Sequence, residues 1–428
     1  MKRLLVRVFY LVTTMLSATV HVSHATVHHA TLDGLDHFHP VIREFRDLIE
    51  GDAEIYMGFH QMFDEIPNTQ QYLMDPSGLH PQIRNYEHML SHLNSILTMA
   101  PEFPANGSSY ATIPIKSMFQ WPMCTAAGFR MFTNTKVNAQ LKRILTVWSE
   151  YVASPASRYV LTKDAGGWFS PEAMKEIPEF AETFECDPTQ EFFGYASFDD
   201  YFTRRFKPNV RPVASPLDGR VIASGCESVP YALRHNVQER NTFWIKDEPY
   251  SLQHLLYDDP LAPQFVGGTV FQSFLSTIHY HRWHSPVSGK IVKVVQVQGT
   301  YYAMSPALSF TAGNDPNRQN RVGYHSQAFL TNIATRCLIF IEADNKDIGL
   351  MAFAAIGMME VSSTEATVKA GQRVKKGDEI GMFHYGGSSY VMVFRPETKI
   401  DFSDQVMQGL KDGKTVIQVG SHVGTVRS

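Results

Sequence analysis

The sequence predicts an α+β protein, with a helical N-terminal region followed by a mostly β domain of the hammerhead-like barrel-sandwich type. Three observations predict this class. Apolar residues recur at three- and four-residue intervals through residues 40–165. A stretch bearing Gly and Pro follows near 165–190, and from about residue 192 short alternating runs are punctuated by Gly, Pro and Asp. With 428 residues, 44% of them hydrophobic, the chain is long enough for two structural units.

The N-terminal helical domain is predicted to span residues 26–185. Its amphipathic segments read "HPVIREFRDLIEGDAEIYMGFHQMFDEI", "YEHMLSHLNSILTMA" and "VNAQLKRILTVWSEYVA". The aromatic and methionine residues of these segments fall on the apolar faces. We expect them to pack in the core.

The β domain is predicted to span residues 186–428. Two of its turn regions, "ASPLDGRVIASG" and "HSPVSGKIVKVVQVQG", share Ser-Pro-x-x-Gly-x-Val/Ile, which is a turn that leads into a β-branched strand. A third, "VKAGQRVKKGDEIGMF", resembles the strand–turn–strand hammerhead of carrier domains. Such turns also recur in unrelated β proteins, so the repetition alone does not define the fold.

The first 25 residues have the build of a secretory signal peptide. Lys2, Arg3 and Arg7 precede the apolar run at 8–20, and Ser23-His24-Ala25 offers small residues for cleavage. A removed leader predicts a protein of the secretory pathway or the extracellular space. The alternative is an apolar leader that docks on the core of a cytoplasmic protein.

Composition argues against several classes of partner. The formal net charge is −4, so no basic face for nucleic acid is indicated. The four cysteines show no C-x-x-C spacing, which argues against a disulfide framework or a Cys-rich zinc site. Histidines cluster behind the leader without a recurring helical or loop spacing, and we interpret them as solvated rather than as a metal site. They are His21, His24, His28, His29, His37 and His39.

Four features could carry chemistry: Asp218 in "SPLDGR", the pair His281 and His284 in "YHRWHSP", the serines of "GGSS", and Lys346 in "EADNKDIG". Each is weak alone, and we interpret Lys346 as part of a charged turn. Together, the acid, the imidazoles and the hydroxyl suggest Asp–His–Ser chemistry, in which an imidazole deprotonates a serine.

The "GGSS" stretch does not fit a serine hydrolase. The hydrolase elbow G-x-S-x-G is missing at Ser388, because residue 390 is Tyr. Gly387 lacks a Cβ, so the Ser388 hydroxyl can fold back onto the preceding carbonyl at little steric cost. This geometry predicts self-cleavage between Gly387 and Ser388.

The motifs "SPLDGR", "YHRWHSP", "GGSS" and "FDDYFTRRFKP", with "IKDEPYSLQHLL", jointly resemble the phosphatidylserine decarboxylase family. The resemblance implies an enzyme that cuts itself before a serine and converts that serine into a pyruvoyl group. The cleaved chains would be a large one ending at residue 387 and a small one, 388–428, that stays paired in the sheet. Neither pyridoxal phosphate nor a metal is implied.

Other segments indicate a subgroup within this family. "YHRWH", "FIEADNKDIG" and "EATVKAGQRVKKGDEIGMFHYGGSS", with the helical N-terminal region, are similar to the fungal L-tryptophan decarboxylases of this family. One feature departs from that subgroup, because Asp218 keeps the acid of the phospholipid enzymes. A cleavable leader is also unexpected for a cytosolic subgroup.

The resemblance implies a role for each residue. Asp218 orients His284, which deprotonates Ser388 for cleavage. In turnover, the substrate amine forms a Schiff base with the pyruvoyl group, CO2 leaves, and His281 protonates the resulting carbon. The residues assigned to the substrate pocket are Trp283, Phe383, His384 and Ser389.

The substrate stays open at this point. A free aromatic L-amino acid such as L-tryptophan is favoured, since no amphipathic basic helix indicates a membrane surface. The alternatives are phosphatidylserine at a membrane surface and, from another class, a non-catalytic hammerhead binding module.

Overall fold

The structure is a computed structural model of the chain, and it describes residues 37–69, 72, 83–103, 113–241, 250–306, 310, 326–385 and 388–427. The predicted leader, most of the histidine cluster, and the predicted scissile residue Gly387 lie outside the described residues. Those predictions are therefore carried forward as predictions.

Helices dominate the first part of the described chain, as the apolar periodicity predicts. Asp52 ends one helix and caps the next, because its side chain accepts hydrogen bonds from the backbone N–H groups of Glu54 and Ile55. The first long predicted segment is therefore two helices. The helices up to residue 202 are α1 Pro40–Gly51, α2 Ala53–Asp64, α3 Tyr86–Ile96, α4 Pro114–Phe119, α5 Ala126–Thr133, α6 Thr135–Val152, α7 Pro171–Glu176, α8 Phe180–Thr183 and α9 Phe198–Phe202.

Strands follow from residue 221, and the described part of this region also contains the α-helices α10 Leu252–Leu255, α11 Gln327–Ile333 and α12 Asp404–Asp412. The strands are β1 Val221–Ala223, β2 Val229–Arg234, β3 Thr269–Leu275, β4 Arg282–His284, β5 Gly289–Val297, β6 Arg336–Ala343, β7 Leu350–Ile356, β8 Thr364–Ala366, β9 Arg373–Val374, β10 Glu379–Phe383, β11 Ser388–Phe394, β12 Ile400–Phe402 and β13 His422–Val426.

The described strands form three antiparallel sheets. The largest has the order β2-β3-β11-β7-β6-β5-β9, and the smaller ones have the orders β4-β10-β8 and β1-β13-β12. These strands do not close a barrel. The α+β class is confirmed, and the predicted hammerhead segment forms β9 and β10.

Strand β11 lies inside the largest sheet, hydrogen-bonded to β3 on one side and to β7 on the other. Every one of its residues is buried, as expected for a continuous apolar run flanked by strands on both sides. Ser388 is its first residue and pairs with Leu275 of β3. A fully buried inner strand of the sheet therefore begins at the candidate reaction site.

Contacts group residues His39–Ser428 as one unit. The predicted division at 185/186 separates the mainly helical part from the mainly β part within this unit. Across the described ranges, no helix has both the length and the apolar character needed to cross a bilayer.

Candidate active site

Ser388 is a fully buried serine at the start of β11. Its hydroxyl has no hydrogen-bond partner among the described residues. An unpaired buried polar group costs about 1–3 kcal/mol, so such groups call for an explanation. A hydroxyl that must react with its own backbone is one such explanation.

The neighbouring Ser389 is held in a different way. Its Oγ accepts a hydrogen bond from Gln272 Nε2 at 3.0 Å, and Gln272 Oε1 accepts one from the Tyr250 hydroxyl at 2.5 Å. All three side chains are buried. Ser389, which we assigned to the substrate pocket, is therefore fixed in a polar network of the sheet interior, and only its neighbour has an uncommitted hydroxyl.

His284 has both ring nitrogens engaged. Nδ1 lies 2.7 Å from the carbonyl oxygen of Gly377, and Nε2 lies 2.8 Å from the Tyr280 hydroxyl. Since a carbonyl can only accept, Nδ1 carries the proton and Nε2 accepts from Tyr280. Burial lowers the pKa of His284, so the ring is neutral at pH 7 and Nε2 is available as a base.

In the structure, the Asp218 carboxylate is bound by Arg220, and its predicted contact with His284 stays a proposal. The Asp218 carboxylate accepts hydrogen bonds from Nε and Nη2 of Arg220, at 3.1 and 2.8 Å, and from the Arg220 backbone N–H. These hydrogen bonds lower the pKa of Asp218 to about 2. Arg220, two residues further along the chain, binds the Asp218 carboxylate within a local turn. The group that orients His284 in the structure is the carbonyl of Gly377.

Two residues that the sequence analysis missed connect the Asp218 turn to His284. The buried Lys376 donates from Nζ to the backbone carbonyls of Ser215, Asp218 and Val221. The next residue is Gly377, whose carbonyl holds the His284 ring. The signal was present in "VKKGDEIG", which we interpreted only as a hammerhead turn.

Gly377 has to be glycine. Its φ is +91°, in the left-handed region, and a Cβ there would lie 2.4 Å from Cγ2 of Val213. The carbonyl that orients His284 therefore belongs to a backbone position that other residues cannot adopt without strain.

His281 lies in the interior. Its Nδ1 is 2.8 Å from the carbonyl of His279, so Nδ1 donates this hydrogen bond. The ring stacks on Phe202 at 4.1 Å and meets the edge of Phe383 at 6.4 Å. The two histidines of "YHRWH" thus have different surroundings. His281 packs among aromatic rings, whereas His284 lines a cleft of about 220 Å³ with Tyr280 and Gly377.

Trp283 and Phe383, which we assigned to the substrate pocket, lie in the main hydrophobic core. Both are fully buried, and their ring centroids are 4.9 Å apart. Side chains alternate between the faces of a strand, so Trp283 points away from the face that carries His284. Neighbouring residues in the sequence therefore lie on opposite sides of β4.

His384 lies on a second cleft, of about 330 Å³, which we name the His384 cleft. Its ring bonds to Asp199 through Nδ1 and to Glu365 through Nε2, each at 3.0 Å. Burial disfavours the charged ring, but the hydrogen bonds and charges of these two acids outweigh it and raise the pKa of His384 to about 9. The cleft is lined by Leu145, Trp148, Ser149, Glu150, Val152, Ala153, Asp199, Glu360, Ser363, His384 and Tyr385.

Other sequence features have simple placements. Lys346 is exposed and 4.0 Å from Glu342, in agreement with a charged turn. All four cysteines are free. Within the described part of the chain, no cluster of three or more His, Cys, Asp or Glu residues could hold a metal ion.

Comparison with known proteins gives two matching family models, both described as phosphatidylserine decarboxylase. They match residues 39–177 and 198–424. An L-tryptophan decarboxylase of Psilocybe cyanescens is 38% identical over 400 residues, which cover 90% of this chain and 86% of that protein. The decarboxylase iboD of Amanita muscaria is 44% identical over 307 residues, covering 69% and 88% of the two chains.

A relative with lower sequence identity covers a smaller part of the chain. The phosphatidylserine decarboxylase proenzyme 3 of Schizosaccharomyces pombe is 28% identical over 280 residues, which are 62% of this chain and 26% of that protein. The similarity to the fungal tryptophan decarboxylases therefore extends through the helical region, whereas this match covers a smaller share of both chains.

Proposed function

Since the chain belongs to the phosphatidylserine decarboxylase family and is a carboxy-lyase, we propose that it is a self-processing decarboxylase of free aromatic L-amino acids, with L-tryptophan as the favoured substrate. The observation that carries the self-processing is the buried Ser388 hydroxyl without a partner in the described chain. The substrate assignment is supported by the tryptophan decarboxylases that match nine tenths of the chain.

The family is pyruvoyl-dependent, and the surroundings of Ser388 fit the conversion of this serine. Ser389 is tied to Gln272, whereas the Ser388 hydroxyl is not engaged by any described group. Once formed, a pyruvoyl group supplies a carbonyl that reacts with an amine and accepts the electron pair left by CO2.

Maturation needs a base for the Ser388 hydroxyl, and His284 is the proposed one. Its neutral ring carries the proton on Nδ1, held by Gly377, which leaves Nε2 to accept a proton. To act, Nε2 must exchange the Tyr280 hydroxyl for that of Ser388. The Ser388 oxygen then attacks the Gly387 carbonyl, and an ester replaces the amide. Elimination breaks the C–O bond, releases the large chain as a carboxylate and leaves a residue that hydrolyses with loss of ammonia.

Asp218 remains a proposed orienting acid only if its carboxylate leaves Arg220. Asp218→Asn and Arg220→Gln separate the possibilities. Loss of cleavage in Asp218→Asn alone would support a rearranged Asp218–His284 contact. Equal, small losses in both variants would leave Gly377 as the orienting group.

His281 is the proposed proton donor to the substrate carbon. Nδ1 donates to the His279 carbonyl, so the proton delivered to the substrate carbon is a second one, which Nε2 takes up before the transfer. Packing against Phe202 excludes water from one ring face. His281→Ala should therefore lower turnover while leaving cleavage at 387/388 in place.

Three further features also remain proposals: the barrel-sandwich arrangement of the β domain, the domain boundary at 185/186, and secretion through a cleaved leader. The N-terminal residue of protein recovered from the culture medium and from the cells tests the last of these. A mature N-terminus near residue 26 in the medium supports secretion, whereas intact Met1 in the cytosol supports the docked leader.

Intact-mass measurement and a substrate comparison test the function. We expect a small chain that begins at residue 388, is short of ammonia and resists Edman degradation, together with CO2 release from L-tryptophan or L-tyrosine without lipid. Release of CO2 only from phosphatidylserine vesicles would establish the phospholipid alternative, which the family models and Asp218 favour. A single uncut and inactive chain would overturn the self-processing proposal.

A further inference from the structure

We propose that the His384 cleft receives the free amino-acid substrate and that Glu360 accepts a hydrogen bond from the substrate's ammonium group. This inference rests on the proposed function and adds a recognition residue to it. Three features of the molecule support it: the position of the cleft, the hydrogen bonding of the buried Glu360 carboxylate, and the charges around the cleft.

The cleft is connected to His281, the proposed proton donor, by aromatic contacts. Tyr385 lines the cleft and precedes Ser388 by three residues. Its ring lies 5.6 Å from that of Trp148 in the cleft wall and 5.0 Å from that of Phe202. Phe202 in turn stacks on His281, the proposed proton donor. A ligand in the cleft therefore lies against the aromatic cluster that packs on His281.

Glu360 is the buried acid of this cleft. It follows β7, whose last residue, Ile356, pairs with Ser389. The side chain is 4% exposed, and Oε1 accepts a hydrogen bond from the Lys116 backbone N–H at 2.8 Å, at the start of α4. Oε2 has no hydrogen-bond partner among the residues that the structure describes. Since a buried carboxylate oxygen without a donor is costly, a ligand N–H that reaches it gains more than it would at an exposed acid.

The charges around the cleft favour an amine over a phosphodiester. Glu150, Asp199 and Glu360 line it together with one cation, His384, whose two ring N–H groups already donate to Asp199 and Glu365. Burial raises the pKa of Glu360 to about 7, although the backbone N–H groups of Lys116, Glu360 and Ile115 and the Lys116 ammonium favour the charged form, so its charge is sensitive to what binds beside it. A phosphate in the cleft would lie beside these acidic side chains. Its charge could not be offset by a hydrogen bond from His384, because both ring N–H groups already donate to Asp199 and Glu365.

Size and wall chemistry point the same way. A volume of about 330 Å³ lies near the lower end of ligand pockets, which run from about 300 to 1,000 Å³. Trp148 and Tyr385 provide aromatic wall for a planar side chain. The class of ligand that fits is a free aromatic amino acid or its amine.

The test uses Ser388→Ala, which keeps the chain uncut and removes any dependence on the pyruvoyl group. Calorimetric titration with two probes separates the ends of the substrate: tryptamine has the ammonium group without a carboxylate, and indole-3-propionate has the carboxylate without an ammonium. Glu360→Gln in this background keeps an oxygen for the Lys116 N–H and removes the charge. Glu176→Gln, at an exposed position of α7, is the matched control.

We expect Glu360→Gln to weaken tryptamine binding about tenfold or more, the loss typical of a hydrogen bond to a charged group, and to leave indole-3-propionate unchanged or tighter. Glu176→Gln should change neither. Equal weakening of both probes would assign Glu360 a structural role as the cap of α4 and overturn the inference. Absence of tryptamine binding to Ser388→Ala would also overturn it, while cleavage and CO2 release by the unaltered chain would still stand for the proposed function.

Discussion

The Nδ1 of His284 donates a 2.7 Å hydrogen bond to the carbonyl oxygen of Gly377, which lies 93 residues further along the chain. This contact fixes the tautomer of the ring and leaves Nε2 as the base. It also places a backbone conformation that only glycine adopts easily in direct contact with the proposed catalytic imidazole.

Gly377→Ala should therefore slow cleavage at 387/388. The added Cβ would meet Val213 and strain a φ of +91°, which shifts the carbonyl away from His284. We expect a rate at least tenfold lower, measured as the appearance of the small chain on denaturing gels.

Gly371→Ala is the matched control for that variant. Gly371 has a similar φ of +87°, but no atom lies within 4 Å of an added Cβ and the residue does not contact His284. It should lose about 1 kcal/mol of stability and cleave at the normal rate. Equal slowing in both variants would mean that strain in the hammerhead, rather than the orientation of His284, controls cleavage.

Replacing the two serines of "GGSS" should have unequal effects. Ser388→Ala removes the hydroxyl that has no described partner and should abolish both cleavage and decarboxylation. Ser389→Ala removes only an acceptor for Gln272, whose amide also reaches the Gln327 carbonyl at 3.3 Å. We expect this variant to cleave within tenfold of the normal rate and to lose about 1 kcal/mol of stability. Cleavage in Ser388→Ala, seen by intact mass, would move the reaction site elsewhere.

Gln272→Leu should destabilise the sheet beside Ser389. It would remove the amide that accepts from the Tyr250 hydroxyl and donates to Ser389 Oγ in a buried environment. The expected cost is about 2–4 kcal/mol in the free energy of unfolding, measured in urea on the uncut Ser388→Ala chain. Gln264→Leu, at an exposed position, should cost less than about 0.5 kcal/mol. Similar values for the two would show that the network contributes little.

His384 should make stability depend on pH. Its folded pKa of about 9 lies above the ordinary value of 6.5, so its ion pairs stabilise the fold fully below pH 6.5 and are lost as the pH rises through 9. In the uncut chain, His384→Gln should cost about 2 kcal/mol at pH 6 and much less at pH 9.5. The exposed His422→Gln should show no such change between the two pH values. A constant gap between His384→Gln and the unaltered side chain would contradict the protonated state.

The periodic features of the fold were predictable from the sequence, because burial repeats along a helix or a strand. The helices α1 to α3 and α6 and the hammerhead strands β9 and β10 lie in the segments that the apolar pattern indicated. The break at Asp52 was missed, since a side-chain cap interrupts a helix without interrupting its apolar spacing.

The contacts of the site were less predictable, because they join distant segments. Nothing near His284 in the sequence indicates Gly377, and nothing near Ser389 indicates Gln272. Asp218 was assigned to His284 by resemblance, whereas a turn with the adjacent Arg220 satisfied its carboxylate locally. The environments of Trp283 and His284 were also not distinguished from the sequence, although strand alternation places the two side chains on opposite faces of β4. Glu360 was missed since a lone acid in "MMEVSS" carries no pattern at all.

The position of β11 between β3 and β7 determines the order of folding and cleavage. The residues after the proposed cut include a strand that the sheet cannot be completed without, so that cut cannot precede folding. Synthesis must reach the last residues, the strand must dock between its two neighbours, and only then can Ser388 meet a positioned base. The time at which the small chain appears would therefore report when folding is complete. Separately expressed fragments should not substitute for the continuous precursor.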